Sequence, residues 1–487
     1  MVLVHPPALS KRYLPTKVPP YGMAVLCAHL KACGIPVRQH DLLPIYLHHS
    51  PQDPDFHSPA HGFGQAEYLD HLQGRRASAR LAAFAAKYAD PLPRPAPAYA
   101  FSIMAYPQYW AALLLAQRLR RLAPKALIVF GGPFITIQAQ LDPLTTGLVD
   151  LWLRGSGEAP LALLGRMLAG PDKLDLARLP GAWFRQGDQE RQNPPASLPA
   201  AKECIPDFSG LDLSEYRLLH PATGRQTLFL PYRISKGCVS RCSFCTGRLV
   251  DEFGCKPPDK VVGELKTLAE TYGSRDFVFC DASVNANPAL LAQICRRLAA
   301  ELPGMSWYAY ARVSGFSAKL LALARRSGCF SLFWGVEAMH QPTVRLLGKG
   351  FRVQRVGQLL AQCQRLGIKS HLHLMYHTPN ESLADALALR DLVEPLLDSP
   401  WVEFALHRFL LEPGSLMARR PGDYGLCELT LRPQALFERC RLDFAEVGGA
   451  DPQSISQREA LIEANLGPML ARLRQREADD RAIAPRL

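Results

Sequence analysis

Short apolar runs alternate with stretches of helical period along the first third of the chain. Residues 2–5 form an apolar run that ends in Pro6-Pro7. Over residues 22–33, Met23, Leu26, Cys27 and Leu30 recur on one face, and Gly34 stops the predicted helix. The next strand is expected at 35–40. Further strands are expected at 99–104, at 126–130 before Gly131-Gly132, and at 148–153 before Arg154-Gly155-Ser156-Gly157-Glu158, with a helix over 108–122. Strands that are apolar throughout, separated by helices, predict a parallel sheet covered on both faces. Residues 1–170 therefore read as a doubly wound α/β domain. Its ligands belong beyond the carboxyl ends of the strands. Those ends carry prolines and glycines, and glycine permits close approach of backbone to a large flat ligand.

Residues 43–97 interrupt this pattern. The stretch 43–61 is rich in Pro and His (His48, His49, His57, His61), but its irregular spacing fits a mobile polar loop better than a metal site. A helix is expected over 68–88, then a Pro-rich connector over 91–97. Residues 171–228 read as a linker, with a small hairpin over 181–193 and a surface segment over 206–216 anchored by Phe208, Leu211 and Tyr216.

From 229 to 410 the alternation resumes. Strands are expected at 228–234, 277–280, 306–311, 330–336, 369–375 and 402–407. The helices between them carry cap signals such as Asn287-Pro288, Ser317 and Gly328. Six strand–helix units predict a partial (β/α)6 barrel with functional groups at the carboxyl ends of its strands. Residues 411–487 read as mostly helical, with a Glu/Arg-rich end over 472–481.

Composition narrows the class. The 487 residues are 48% hydrophobic, enough for large cores. No apolar run is long enough to span a bilayer. The start lacks a signal-peptide pattern, so a cytoplasmic protein is expected. Thirteen scattered cysteines, an odd number, argue against a disulfide framework. The net charge of +12 comes largely from arginines spread over predicted helices, among them Arg118, Arg120, Arg121, Arg296 and Arg297. Solvated helix faces explain most of it, and without an aromatic-rich RNA-binding signature nucleic acid is not an expected partner.

The chemistry concentrates in Cys238-Val239-Ser240-Arg241-Cys242-Ser243-Phe244-Cys245, just after the first barrel strand. Three thiolates at this spacing suit a [4Fe–4S] cluster, with one iron left open. Zinc is the main alternative, with Cys255 as a conceivable fourth ligand.

Cys-x3-Cys-x-Phe-Cys at a strand end resembles the radical S-adenosylmethionine (SAM) superfamily. The resemblance implies that Cys238, Cys242 and Cys245 hold the cluster, that Phe244 lies against the cofactors, and that SAM chelates the open iron. It also places Asp281 near the SAM amino group, Arg312 near its carboxylate and Glu337 near its ribose or amino acid portion. A structural hydrogen bond at a strand end is the competing reading for each. Tyr376, beside His377 after the fifth strand, is carried over as a catalytic candidate on the same basis.

The order Pro6-Pro7, Pro19-Pro20-Tyr21-Gly22, Gly131-Gly132-Pro133, Gly155-Ser156-Gly157-Glu158 resembles the Rossmann-like cobalamin-binding domain of B12-dependent radical SAM enzymes. It implies cobalamin contacts at Pro6, Tyr21, Gly22, Gly131, Gly132, Gly155, Gly157 and Glu158. The Asp-x-His-x-x-Gly motif that ligates cobalt from below is missing; His71 supplies only His-x-x-Gly, inside the insertion. A sheet domain that has lost the cofactor is the alternative.

The whole resemblance implies a [4Fe–4S] cluster, SAM and cobalamin as cofactors. It implies a small-molecule or peptide substrate and an external electron donor such as flavodoxin or ferredoxin. The expected reaction is methylation of an unactivated carbon through a 5′-deoxyadenosyl radical and methylcobalamin. Its rivals are a cyclisation, oxidation or rearrangement without methyl transfer, and a non-enzymatic iron–sulfur or zinc module. A methylthiotransferase is disfavoured, since Cys27 and Cys33 cannot make its second cysteine triad.

Overall fold

The computed structural model describes residues 1–8, 18–45, 64–138, 142–170, 174–221, 223–431, 442–447 and 452–483. The chain divides into two units. The first is mainly Met1–Tyr216; the second is mainly Arg217–Arg248, Glu252–Arg432 and Arg441–Leu487.

The first unit is built on β1 (Val2–His5), β2 (Arg38–Asp41), β3 (Ala98–Ser102), β4 (Leu127–Gly131), β5 (Leu151–Leu153), β6 (Ala182–Gln186) and β7 (Gln189–Gln192). Their order is β2-β1-β3-β4-β5-β6-β7. The first five are parallel, and β6 and β7 add antiparallel to the edge. Alternate side chains build two cores. Val2, Val4, Phe101 and Phe130 pack with Leu113 and Leu114 on one face, while Leu3, Ala100 and Val129 pack with Leu30 and Leu161 on the other. The strand order reverses between β1 and β3, and a crevice for a ligand forms at such a point in open α/β sheets.

The hairpin expected in the linker is thus part of the first sheet. The helix expected over 68–88 is two helices, Gln65–Leu72 and Ala79–Ala89. Gly74 breaks it with φ +74, and the Ser78 hydroxyl restarts it by accepting from the Leu81 amide. Most of the Pro/His stretch, including His48, His49, His57 and His61, lies outside the described residues.

The second unit holds β8 (Arg217–Leu219), β9 (Gln226–Tyr232), the short pair β10 (Ser235–Lys236) and β11 (Gly254–Cys255), then β12 (Asp276–Phe279), β13 (Ser306–Ala311), β14 (Cys329–Glu337), β15 (Lys369–Tyr376) and β16 (Val402–Arg408). The main sheet runs β16-β15-β14-β13-β12-β9-β8, with six parallel strands and antiparallel β8 on the edge. Its two edge strands do not pair with each other, so the barrel is open. Burial alternates along β13 and β15 and along β14 from Leu332 onward. Leu332, Trp334, Leu372 and Leu374 are buried on the helix-covered face, whereas Phe333, His371 and His373 on the inner face are only partly covered. The tail is less purely helical than expected: β17 (Leu426–Leu431) and β18 (Leu442–Glu446) form a hairpin ahead of the helix Pro452–Ile483. Among the described residues no helix is long and apolar enough to cross a membrane.

Candidate functional site

The three cysteines sit in one loop whose base is closed by a ladder, Ser235 opposite Cys255 and Lys236 opposite Gly254. Cys255 is thereby a ladder residue. A buried ionic cluster locks the ladder from behind. Lys256 Nζ lies 3.1 Å from Glu264 Oε2 and 4.4 Å from the centroid of the Tyr232 ring, and the Tyr232 hydroxyl donates to Glu264 at 2.6 Å.

Asp281 completes the base. Its Oδ2 accepts from the Ile234 amide at 3.0 Å; its Oδ1 accepts from the Ser235 amide at 2.6 Å and from the Ser235 hydroxyl at 2.5 Å. Asp281 is 2% exposed, and its carboxylate braces the cysteine loop through these three bonds.

The far side of the loop is equally fixed. The Ser243 amide donates to Leu347 O at 3.1 Å, its hydroxyl donates to Leu346 O at 2.8 Å, and its carbonyl accepts from the Met417 amide at 2.8 Å. The Thr246 hydroxyl donates to Glu412 at 2.9 Å. Within this frame the sulfurs are met by backbone donors: Ser240 N–H to Cys238 Sγ at 3.4 Å and Gly247 N–H to Cys245 Sγ at 3.3 Å. Burial pushes the Cys242 thiol up, opposed first by Lys349. Cys245 is exposed by area, yet desolvation pushes it up to about 11. Among the described residues no three His, Cys, Asp or Glu side chains converge to hold a single metal ion. Three cysteine thiols on one loop are a donor set that suits a [4Fe–4S] cluster, each thiolate on a different iron.

Arg312, after β13, faces the same loop. Its Nη1 donates to the Ser240 hydroxyl at 3.3 Å, and its buried Nε has no hydrogen-bond partner. Its backbone is gripped by Asn285, whose Oδ1 accepts from Arg312 N–H and whose Nδ2 donates to Arg312 O and Ser314 O. An orphaned guanidinium nitrogen fits an anionic ligand group. Glu337 ends β14 with φ +68, its carboxylate 3.1 Å from Lys349 Nζ. Phe244 lies between Lys349, 5.8 Å from the ring centroid, and Phe409, at 6.5 Å between centroids.

Tyr376 falls elsewhere. Along β15, His371, His373 and Met375 share the inner parity, and His373 stacks 6.2 Å from His407 and 5.5 Å from Tyr310. Tyr376 has the opposite parity, paired with Arg408, whose guanidinium meets Glu459 of the C-terminal helix. The strand's period of two sets it on the other parity from His371, His373 and Met375.

In the first unit, a buried polar chain occupies the crevice between β1 and β3. Asp41 Oδ1 is 2.8 Å from His5 Nδ1, His5 Nε2 is 2.8 Å from Gln108 Nε2, and Asp41 Oδ2 accepts from the Tyr216 hydroxyl at 2.7 Å. The Gln108 amide nitrogen also donates to Pro6 O at 3.1 Å. Beside it Met104 is 50% exposed, an apolar platform at the end of β3. Gly22 opens the helix Tyr21–Ala32 with no atom within 4 Å of a notional Cβ, while the Tyr21 hydroxyl donates to Glu203 at 2.6 Å. Gly131 is similarly uncrowded, its nearest atom at 3.6 Å.

At Gly132 and Gly155, with φ +102 and +80, a Cβ would lie 2.5 Å from Ile103 O and 2.2 Å from Ala196 O. Close approach of the protein's own backbone already requires both glycines. Gly157 faces the Leu26 side chain at 3.2 Å, and Glu158 is 4% exposed at the first turn of the helix Glu158–Ala169. His71 is no open ligand at Nδ1, which accepts from the Ser78 amide at 3.0 Å. An uncrowded Gly22, the exposed Met104 and the satisfied polar floor fit a large, largely apolar cofactor.

Sequence reasoning missed Lys349, Gln108, Asn285 and Met104. For Lys349 the signal was present in Gly348-Lys349-Gly350, a lysine between two glycines.

No protein-family profile matches the chain. Among curated proteins, an uncharacterized methyltransferase of Pyrococcus horikoshii is 23% identical over 302 residues, 61% of this chain and 63% of that protein. The anaerobic magnesium-protoporphyrin IX monomethyl ester cyclase of Synechocystis is 28% identical over 236 residues, 48% of this chain and 46% of that protein. The chain thus spans about half to less than two-thirds of the length of these relatives. Among solved structures, the radical SAM methyltransferase TsrM of Kitasatospora setae, with tryptophan substrate and a SAM analog bound, superposes with TM-score 0.65 at 18% identity. That match covers 97% of this chain and 88% of TsrM. The cobalamin-dependent SAM radical enzyme OxsB with aqua-cobalamin bound gives TM-score 0.67 at 14% identity, covering 96% of this chain and 67% of OxsB. The chain has the fold of these cobalamin-dependent radical SAM enzymes.

Proposed function

We propose that the chain is a cobalamin-dependent radical SAM methyltransferase acting on an unactivated carbon. The observation that carries this reading is the cysteine loop. Three thiols sit on a segment braced at Asp281, at the Ser235–Cys255 ladder and at Ser243, at the carboxyl end of the first strand of an open barrel. That loop lies in a fold shared along nearly the whole chain with TsrM.

In this reading Cys238, Cys242 and Cys245 hold three irons of a [4Fe–4S] cluster. Arg312 offers its unpaired Nε to an anionic group of SAM, and Glu337 and Phe244 border the same place. Asp281 acts one layer out, fixing the loop. Residues 1–170 take cobalamin beyond the ends of β1, β3 and β4, residues 229–410 form the catalytic barrel, and Met104 and Gly22 border the B12 site. When bound, the cluster with SAM supplies radical chemistry and cobalamin supplies a methyl group. The protein contributes placement and exclusion of water. The inner face of β13–β15 suits a substrate: Tyr310 is 46% exposed, Phe333 and His371 stack at 4.1 Å, and burial holds His373 neutral, its imidazole pushed down to about 4. The substrate is a small molecule or a peptide. An external low-potential donor such as flavodoxin or ferredoxin, and the reducing cytoplasm, complete the requirements.

Anaerobic purification with iron, sulfide and cobalamin tests the reading. Four irons and one cobalt per chain, with SAM consumed on reduction and a candidate substrate heavier by one methyl group, are the expected results. A chain that binds zinc, or that leaves SAM intact when reduced, overturns it. A second reading keeps the cofactors but closes a ring without methyl transfer; the match to the Synechocystis cyclase favours it. A product of unchanged carbon count selects that reading.

A further inference from the structure

The short helix Gln341–Leu346 is followed by a turn that returns the chain to the cysteine loop. At Gly348 φ is +68, and a Cβ there would sit 2.5 Å from Arg241 O. Only glycine lets the two backbones meet, and Ser243 then bonds both Leu346 O and Leu347 O. Gln341 holds the exit of the turn, donating to Phe351 O and accepting from Val353 N–H, each at 3.0 Å. The next residue after Gly348 is Lys349, and its direction is set by this docking.

Its side chain is 11% exposed and fits a tight cradle. Nζ lies 3.1 Å from Glu337 Oε1 and 5.8 Å from the centroid of Phe244, the residue before Cys245. Across the cradle a Cβ on Gly335 would lie 3.0 Å from Glu337 Oε1 and 3.1 Å from Lys349 Nζ, so a side chain there would press on the tips of both. Glu337 is held in the left-handed region, where a side chain is tolerated only when the surroundings insist on it. Three separate features (Gly335, Gly348 and the strained Glu337) therefore converge on placing one ammonium beside the cysteine loop.

We propose that Lys349 is a positioning residue whose fixed positive charge, held by Glu337 against Phe244, biases the iron–sulfur centre at Cys238, Cys242 and Cys245 toward its reduced form. The inference rests on the cluster assignment made above. Reduction by an external one-electron donor adds one negative charge to a centre that already bears three thiolates. In a partly buried site that charge is poorly screened, so a neighbouring cation stabilises the reduced form more than the oxidised one.

The test is the midpoint potential of the reconstituted full-length protein, followed by electron paramagnetic resonance during titration with dithionite. Lys349→Met is expected to weaken reduction about tenfold, a shift of ~59 mV to lower potential for a one-electron couple. Lys349→Arg is expected to restore most of it, and Glu337→Gln to move the potential the other way. A Lys349→Met protein with an intact cluster signal and the wild-type potential overturns the inference. Should that variant fail to fold, Glu337→Gln decides: an upward shift supports the inference and an unmoved potential overturns it. A wild-type protein that yields no [4Fe–4S] signal overturns the enzyme reading itself and this inference with it.

Discussion

Gln108 gives its amide hydrogens to His5 Nε2 at 2.8 Å and to Pro6 O at 3.1 Å, while its oxygen accepts from the Met104 amide at 2.9 Å. Its amide is thus fully used, and the donation fixes the His5 tautomer: Nε2 accepts, so Nδ1 carries the proton toward Asp41. Because Gln108 is fully buried, Gln108→Leu removes the partner of His5 Nε2, Pro6 O and the Met104 amide at once. A loss of about 2–4 kcal/mol in chemical denaturation is expected, more than one hydrogen bond is worth. Gln108→Glu, which removes the donors but keeps the shape, is expected to lose a comparable amount near neutral pH.

Two glycines that resemble a cofactor cradle in sequence separate cleanly on substitution. Gly132→Ala forces a Cβ to 2.5 Å from Ile103 O at φ +102, and a loss of about 2–4 kcal/mol in stability is expected. Gly22→Ala meets nothing and adds a better helix former, so stability is expected to hold or rise by up to about 1 kcal/mol. Cobalamin binding, followed by absorbance, is expected to weaken for Gly22→Ala if that open space is the B12 site. Unchanged affinity there removes Gly22 from it.

The parts that sequence carried well are those written in periodicity. Strands buried on both faces, such as Leu127–Gly131, announce a parallel sheet, and the loop Cys238–Cys245 announces its chemistry by residue type alone. What stayed hidden depends on partners distant in sequence. Asp281 reads identically whether it faces a ligand or the backbone of Ser235, and only the fold shows that its oxygens accept from the cysteine loop. The same holds for Gly132, whose crowding neighbour Ile103 follows β3, distant in sequence. Tyr376 shows a simpler limit. Near a strand end an error of one residue inverts the face, and His373 rather than Tyr376 carries the inner parity.

Asp281 offers a direct separation of roles. If its carboxylate serves the loop, Asp281→Ala loses three hydrogen bonds to a buried charged acceptor. Iron retention is then expected to fall severalfold, with a stability cost of about 3 kcal/mol. Asp281→Asn keeps one acceptor oxygen and is expected to retain more iron than the alanine variant. Iron per chain and the denaturation midpoint check both. Full iron content in Asp281→Ala, with only SAM affinity reduced, returns Asp281 to the role of a ligand contact.

The turn after β15 gives a pH dependence. Glu381 is 4% exposed and accepts from the His377 amide at 2.5 Å, yet burial pushes its carboxyl up to about 7 from 4.5. A carboxyl raised by folding favours the protonated form in the native state. Its stabilising effect is complete below about 4.5 and is lost as pH rises to about 7, a span of about 3 kcal/mol. His377 acts oppositely: burial pushes it down to about 4, so its contribution is present above its ordinary value of 6.5 and fades as pH falls. The two offset each other in mildly acidic solution, which masks both in the wild type. Glu381→Gln removes only the first and still accepts from the His377 amide. The variant is therefore expected to match the wild type near pH 4.5 and to exceed it by up to about 3 kcal/mol at pH 8. Denaturation series at several pH values give that difference directly, with the His377 contribution cancelling. A difference that does not change with pH means that the amide donors of the turn keep Glu381 ionised despite its burial.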